Sequence, residues 1–293
     1  MGGANTLGIS WQIKIAAKLV LTRLPGGARP WHRAGLFRHG AMTEPDYALK
    51  VFRGHLARAG LGPGDLAGVV ALELGPGDSL ASALMLSAYG AAGALLVDAD
   101  DFASRDLAGY RAMAVLLQRE GLAPPPLDDL HSAEEMLRRC GARYLTRGLE
   151  SLRSLPDASV DFMWSQAVLE HVRRGQFVAT MRELRRILKP GGIASHRVDL
   201  GDHLGGALNN LRFSERLWES ETFANAGFYT NRIQFSEMLA LFEQAGFAVE
   251  VLDCRRWERL PTAASRMAPQ FRALPERELA VRGFDVLLRR AGA

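Results

Sequence analysis

The chain has 293 residues, 48% of them hydrophobic, and a formal net charge of +4. That supplies one large domain with its own core plus an appended segment, and two isolated cysteines, Cys140 and Cys254, exclude a disulfide or zinc framework and suit a reducing compartment. The arginines are scattered rather than clustered, which argues against nucleic acid, and no run approaches the ~18 apolar residues of a membrane span, so a cytoplasmic location is expected.

In chain order, Ile9, Ile13, Ala16, Ala17 and Val20 recur at helical spacing, with Lys14 and Lys18 on another face, and Pro25-Gly26-Gly27 ends the helix. Residues 1–45 are expected to form a helical segment, a lid packed on the main domain or over its cleft. With Trp11 on a basic amphipathic helix, peripheral contact with anionic lipid is the competing placement. The main domain, 46–293, opens with a helical pattern over 46–59. Short apolar runs bounded by turns predict buried strands at 69–74, 94–97, 143–146, 160–165, 193–200, 247–252 and 283–288. Helical patterns fall between them at 79–89, 104–120, 131–139, 175–188 and 235–245. Lys189-Pro190-Gly191-Gly192 predicts a sharp stop before the fifth strand, and 203–232 reads as an insertion. The alternation gives an α/β fold, a doubly wound and mostly parallel seven-stranded sheet with an N-terminal helical segment.

Glu73-Leu74-Gly75-Pro76-Gly77-Asp78 lies directly between the first strand and its helix, and Asp98 ends the next strand. Ligands of open α/β sheets bind outside the strands' carboxyl ends, where glycines let a ligand approach the backbone and an acid can accept both ribose hydroxyls. Leu80 stands where a dinucleotide fingerprint needs its third glycine, and Glu73 would repel a pyrophosphate but suits a cationic amino-acid group.

These segments resemble the class I S-adenosylmethionine-dependent methyltransferases, in the broad group that includes ubiquinone-biosynthesis-type enzymes. Residues 70–77 are similar to the first cofactor motif and Leu96-Val97-Asp98 to the ribose-binding strand end. Residues 159–172 resemble the fourth-strand motif, and 183–192 the helix and turn that follow it. Segments 1–45 and 203–232 lie outside the general pattern and resemble a bacterial subgroup linked to polysaccharide biosynthesis. The resemblance implies a Rossmann-like fold with S-adenosylmethionine as cofactor. It implies that Glu73, Gly75 and Gly77 contact the cofactor's amino-acid part and Asp98 its ribose. Leu149 and Glu150 would meet the adenine, and Ser165 and Gln166 would face the sulfonium.

The acceptor is read as a hydroxyl of a small molecule or of a sugar or glycan intermediate. An N-methyltransferase is the alternative among enzymes, and a non-catalytic cofactor-binding regulator or scaffold the alternative outside them. Ser165-Gln166-Ala167-Val168 stands in place of the Asn/Asp-Pro-Pro-aromatic tetrad that nucleic-acid N-methyltransferases often carry.

An oxygen nucleophile must lose its proton, so a general base is expected near the methyl group. His203 is the candidate, oriented by Asp199 or Asp202, with His171 second and His196 read as a paired sheet histidine. Two imidazoles and two carboxylates also suit a divalent ion, but their spacing matches no motif and no metal is assigned. Arg38-His39, Tyr229, Asn231 and Arg232 are polar islands that would supply acceptor contacts, Arg232 through its bidentate fork.

Overall fold

The computed structural model describes residues 11–21 and 41–292. Helix α1 (Trp11–Leu21) is followed by α2 (Pro45–Arg58), which starts on a proline with Asp46 in its first turn, both favourable at a helix N-terminus. Its inward face carries Ala48, Leu49, Phe52, His55 and Leu56. Phe52 stands edge-on to Trp164 with ring centroids 5.5 Å apart, an arrangement worth about 0.5–1.5 kcal/mol beyond the buried area.

The seven strands are β1 (Val70–Leu74), β2 (Gly93–Val97), β3 (Ala142–Leu145), β4 (Val160–Gln166), β5 (Leu188–Asp199), β6 (Phe247–Arg256) and β7 (Val281–Arg290). They form one sheet in the order β3-β2-β1-β4-β5-β7-β6. All neighbours are parallel except β7, which runs antiparallel to both β5 and β6. Crossover helices α3 (Ala81–Ala88), α4 (Leu107–Arg119), α5 (Ala133–Arg139), α6 (Gly148–Arg153), α7 (Phe177–Ile187) and α10 (Phe235–Gln244) cover both faces. Helix α7 shows why: Phe177, Met181, Leu184 and Ile187 form one buried stripe at helical spacing.

Three expectations are corrected. Lys189-Pro190-Gly191-Gly192 does end α7, since Pro190 cannot continue a helix, but the chain is already in β5. Leu188 pairs with Val160 and Ile193 with Phe162, so the extra residues bulge out of the ladder. Gly192 is needed there because a Cβ would come within 2.9 Å of the Asp161 carbonyl oxygen.

The second correction concerns α1. Its buried side is Trp11, Ile15, Lys18 and Leu19, whereas Ile13, Ala16 and Ala17 face outward; Ile9 lies outside the described residues, as does the side chain of Val20. Tertiary contact overrides the apolar count, because α1 packs on the insertion. Ile15 joins Trp218, Phe223, Phe228 and Tyr229 in one cluster, and the Lys18 amine donates to the Gly227 carbonyl at 2.9 Å. The third is that the insertion is ordered by aromatic packing around α8 (Glu215–Trp218) and α9 (Glu221–Ala224), despite its weak periodicity. Two short helices, α11 (Pro269–Arg272) and α12 (Glu276–Leu279), precede β7 and carry no periodic signal of their own.

Among the described residues no helix is long and apolar enough to cross a membrane.

Candidate active site

The order of strands reverses at β1, which has β2 on one side and β4 on the other, and the glycine loop leaves the sheet there. The Gly75 N–H donates to the Val97 carbonyl at 2.7 Å and ties the loop to the end of β2. Gly75 and Gly77 have φ of 72° and 61°, a region that only glycine enters cheaply. A Cβ on Gly75 would lie 2.4 Å from Val168, so the loop and the turn after β4 touch at this glycine.

Asp98 ends β2. One carboxylate oxygen accepts the Gly77 N–H at 2.9 Å and the other the Ala99 N–H at 2.7 Å. Glu73 sits beneath the loop, buried, and accepts the Ser82 hydroxyl. Burial pushes its carboxyl up to about 7. Two acids with backbone donors suit a cationic, hydroxyl-bearing nucleoside better than a pyrophosphate.

The other cofactor expectations divide. Leu149 and Glu150 stand in the first turn of α6, and Glu150 points outward in an ion pair with Arg153. Ser165 is fully buried and bonded to His196 across the strand pair at 2.8 Å, so it faces the sheet interior instead of the cofactor. Gln166 points to the opposite face, where its amide oxygen accepts from His55 Nε2 at 3.1 Å. The amide oxygen can only accept, so Nε2 carries the proton, and His55 Nδ1 takes the Ser195 hydroxyl at 2.8 Å. Burial, then Arg58, pulls His55 down to about 3, and burial does the same to His196. Both are neutral structural histidines.

The catalytic candidates regroup. Asp202 is saturated by its own loop: Leu204, Ala207 and Asn209 backbone N–H groups and the Asn209 amide all donate to it, between 2.7 and 3.1 Å. Asp199 accepts the Gly201 N–H at 2.8 Å. What flanks His203 instead is His171, edge-on with ring centroids 4.6 Å apart, and Glu170. One donor atom from each of Glu170, His171 and His203 lies within 4.8 Å of the others, a spread a divalent ion would also accept. His171 Nδ1 meets the Tyr229 carbonyl at 2.8 Å; a carbonyl only accepts, so the basic nitrogen of the neutral ring is Nε2.

Glu170 escaped the sequence reading. It is 1% exposed, and one oxygen accepts the Asp199 N–H at 3.3 Å while Oε2 has no hydrogen-bond partner. Burial, with Asp199 beside it, pushes the carboxyl up to about 8. An acid inside the apolar turn 168–172, next to a histidine, was the available signal. His55 on the apolar face of α2 was another.

Among the acceptor candidates, Asn231 is a staple. Its amide donates to the Leu169 and Val172 carbonyls, its oxygen accepts the Ile233 N–H, and its own N–H holds the Glu170 carbonyl at 2.7 Å. The Tyr229 hydroxyl donates to Glu219 at 2.9 Å. Neither side chain has a donor hydrogen left for an acceptor. Arg232 is buried and lines a cavity of about 390 Å³. Arg38 and His39 lie outside the described residues.

A sheet of this order with a glycine loop and two acids at its switch point defines a nucleoside-cofactor enzyme of the Rossmann-like kind. The family model described as a methyltransferase domain matches residues 126–195, from before α5 into β5. No curated protein sequence matches. Similar solved structures include an S-adenosylmethionine-dependent methyltransferase from Mesorhizobium loti, with 20% identity over 80% of this chain and 95% of that one and a TM-score of 0.44. A Methanosarcina mazei member of the same class has 16% identity over 76% and 93%, TM-score 0.44. Haemonchus contortus phospholethanolamine N-methyltransferase 2, solved with S-adenosylhomocysteine, has 13% identity over 82% and 52%, also with a TM-score of 0.44. Sheet order and motif order agree with the methyltransferase domain that the family model matches over residues 126–195.

Proposed function

We propose that this methyltransferase acts on a hydroxyl of a small molecule or sugar intermediate, and that His203, backed by His171 and Glu170, receives the hydroxyl proton. The observation that carries the reading is the contact between Gly75 and Val168, which sets the turn bearing Glu170 and His171 directly against the cofactor loop. The sulfonium supplies an activated methyl group. In the same reading Asp98 holds the ribose hydroxyls, and Gly75, Gly77 and Glu73 receive the amino-acid end. Gln166, fixed by His55, borders the methyl. Helix α1 and residues 203–232 cover the acceptor side of the domain that 46–293 forms, the rest of residues 1–40 lying outside the described residues.

A proton acceptor fits oxygen chemistry, because hydroxyls are far too weakly acidic to react at neutral pH unaided, and a positioned base contributes about 10²–10⁴-fold. The test is transfer of labelled methyl to a panel of sugars and small alcohols, run with and without EDTA. His203→Ala is expected to lose about 10²-fold or more in kcat while S-adenosylhomocysteine affinity stays the same. Unchanged transfer would remove His203 from the chemistry. Loss of transfer in EDTA would turn the three residues into a cation site.

A further inference from the structure

Arg232 is an unusual arginine. It is 5% exposed, and no carboxylate among the described residues lies within 4.0 Å of it. Its Nη1 donates to the Phe213 carbonyl at 2.7 Å and reaches the Asn210 carbonyl at 3.4 Å, while Nε is buried with no hydrogen-bond partner. The guanidinium lies between two rings, 5.2 Å from that of Trp218 and 5.1 Å from that of Phe271. The backbone there is in the left-handed region, φ 56°, which costs a non-glycine residue of order 1 kcal/mol or more.

A buried cation without a counter-ion is costly, and proteins keep charges inside when something pairs with them. Burial pulls this guanidinium down to about 10, against the weaker opposing pull of Glu219 and Glu215. The acids around the cavity are already engaged: Glu215 and Glu237 with Arg174, and Glu278 with the Ser236 N–H and hydroxyl at 2.6 and 2.7 Å. Strain, aromatic clamping and an unspent charge converge on one wall of a cavity large enough for a small organic ligand.

We infer that Arg232 and this cavity form an anion subsite for a carboxylate or a phosphate. On the methyltransferase reading, on which this identification of the ligand rests, the anion is carried by the acceptor. The subsite starts one residue beyond Asn231, whose N–H holds the Glu170 carbonyl. An acceptor anchored by its anion at Arg232 therefore has the proton-handling turn as its neighbour. A planar fork between two rings favours an oxyanion that takes two parallel hydrogen bonds over a simple halide.

The experiment uses the full chain, titrated separately with inorganic phosphate, malonate and S-adenosylhomocysteine by calorimetry. Saturable binding of phosphate or malonate is expected, and the stronger of the two assigns the acceptor's group. Arg232→Lys keeps the charge but loses the fork, and should weaken that binding by about tenfold or more. Gln270→Glu, on the exposed rim of the cavity, adds a repelling charge with little risk to the fold and should also weaken it. S-adenosylhomocysteine binding should be unchanged in both variants. If Arg232→Lys does not fold, Gln270→Glu decides alone. No binding of either anion up to about 50 mM, or binding indifferent to the variants, overturns the subsite. Cofactor binding without anion binding overturns the subsite and leaves the methyltransferase reading standing; anion binding without cofactor binding does the reverse.

Discussion

The cofactor half of the sheet, β1 to β4, and the half formed by β5, β7, β6 and the insertion treat buried polar groups in opposite ways. Among the described residues, four buried side-chain atoms have neither a hydrogen bond nor an ion pair: Glu170 Oε2, His196 Nε2, Asn210 Oδ1 and Arg232 Nε. All four lie beyond β4. A fifth, Asp285 Oδ1, lacks a hydrogen bond but has Arg255 at 3.2 Å. On the cofactor side, Glu73, Asp98, Ser82 and Gln166 all have partners. An unmet buried polar group costs about 1–3 kcal/mol, so a cluster of them calls for an explanation. The difference is that the polar side chains of the cofactor side meet one another or the backbone without ligand. Beyond β4, His196 is structural, and on the proposed reading Glu170 and Arg232 are the groups whose partners belong to what binds there.

The largest effect expected on the cofactor side is from Asp98→Ala. It removes the carboxylate read as the ribose acceptor and frees the Gly77 N–H from its bond. Charge-assisted bonds are worth about 1.5–3 kcal/mol each, so S-adenosylhomocysteine should bind about 10²-fold more weakly or worse. Calorimetry decides, and an unchanged affinity would break the assignment of this half.

Asn231→Ala probes the joint between the halves. Its amide serves two buried carbonyls in the turn that carries Glu170 and His171, so its loss leaves both without a donor. About 2 kcal/mol is expected, roughly 4–8 °C in Tm for a domain of this size, with transfer impaired more than cofactor binding. Equal impairment of both would show that the turn serves the cofactor loop alone.

The same division sets how much was legible in the sequence. Glycine loop, strand ends and Asp98 could be read because their geometry is local: an apolar run, a turn and an acid a fixed distance on. The fold followed from the same periodicities. Glu170 could not be placed that way, since its burial depends on Asn231, sixty-one residues later in the chain, folding back onto the turn. Asp202 shows the complementary case. Its position next to His203 suggested catalysis, but its oxygens close a loop with residues up to Asn209. Leu149 and Glu150 lie in the first turn of a helix that Gly148, with φ 49°, starts, and the local pattern gave no sign of it.

The smallest effect is also the most direct test of the unmet groups. Glu170 is raised to about 8 by burial and by Asp199, against 4.5 for an ordinary glutamate. Between those values the folded protein holds a proton that the unfolded chain has released. The group's contribution to stability is therefore complete below about pH 4.5 and is lost as pH rises through about 8. Glu170→Gln imitates the protonated form and cannot ionise. It should match the parent in thermal stability near pH 5, exceed it near pH 9, and flatten the fall between. Glu73, raised to about 7 by burial, leaves a residual slope in both proteins. If the two curves run parallel, Glu170 already has a partner in the folded chain, and the contrast between the two halves loses its central member. If they converge at low pH and separate above it, the carboxyl is held neutral and short of a partner, as expected of a group whose partner arrives with the acceptor.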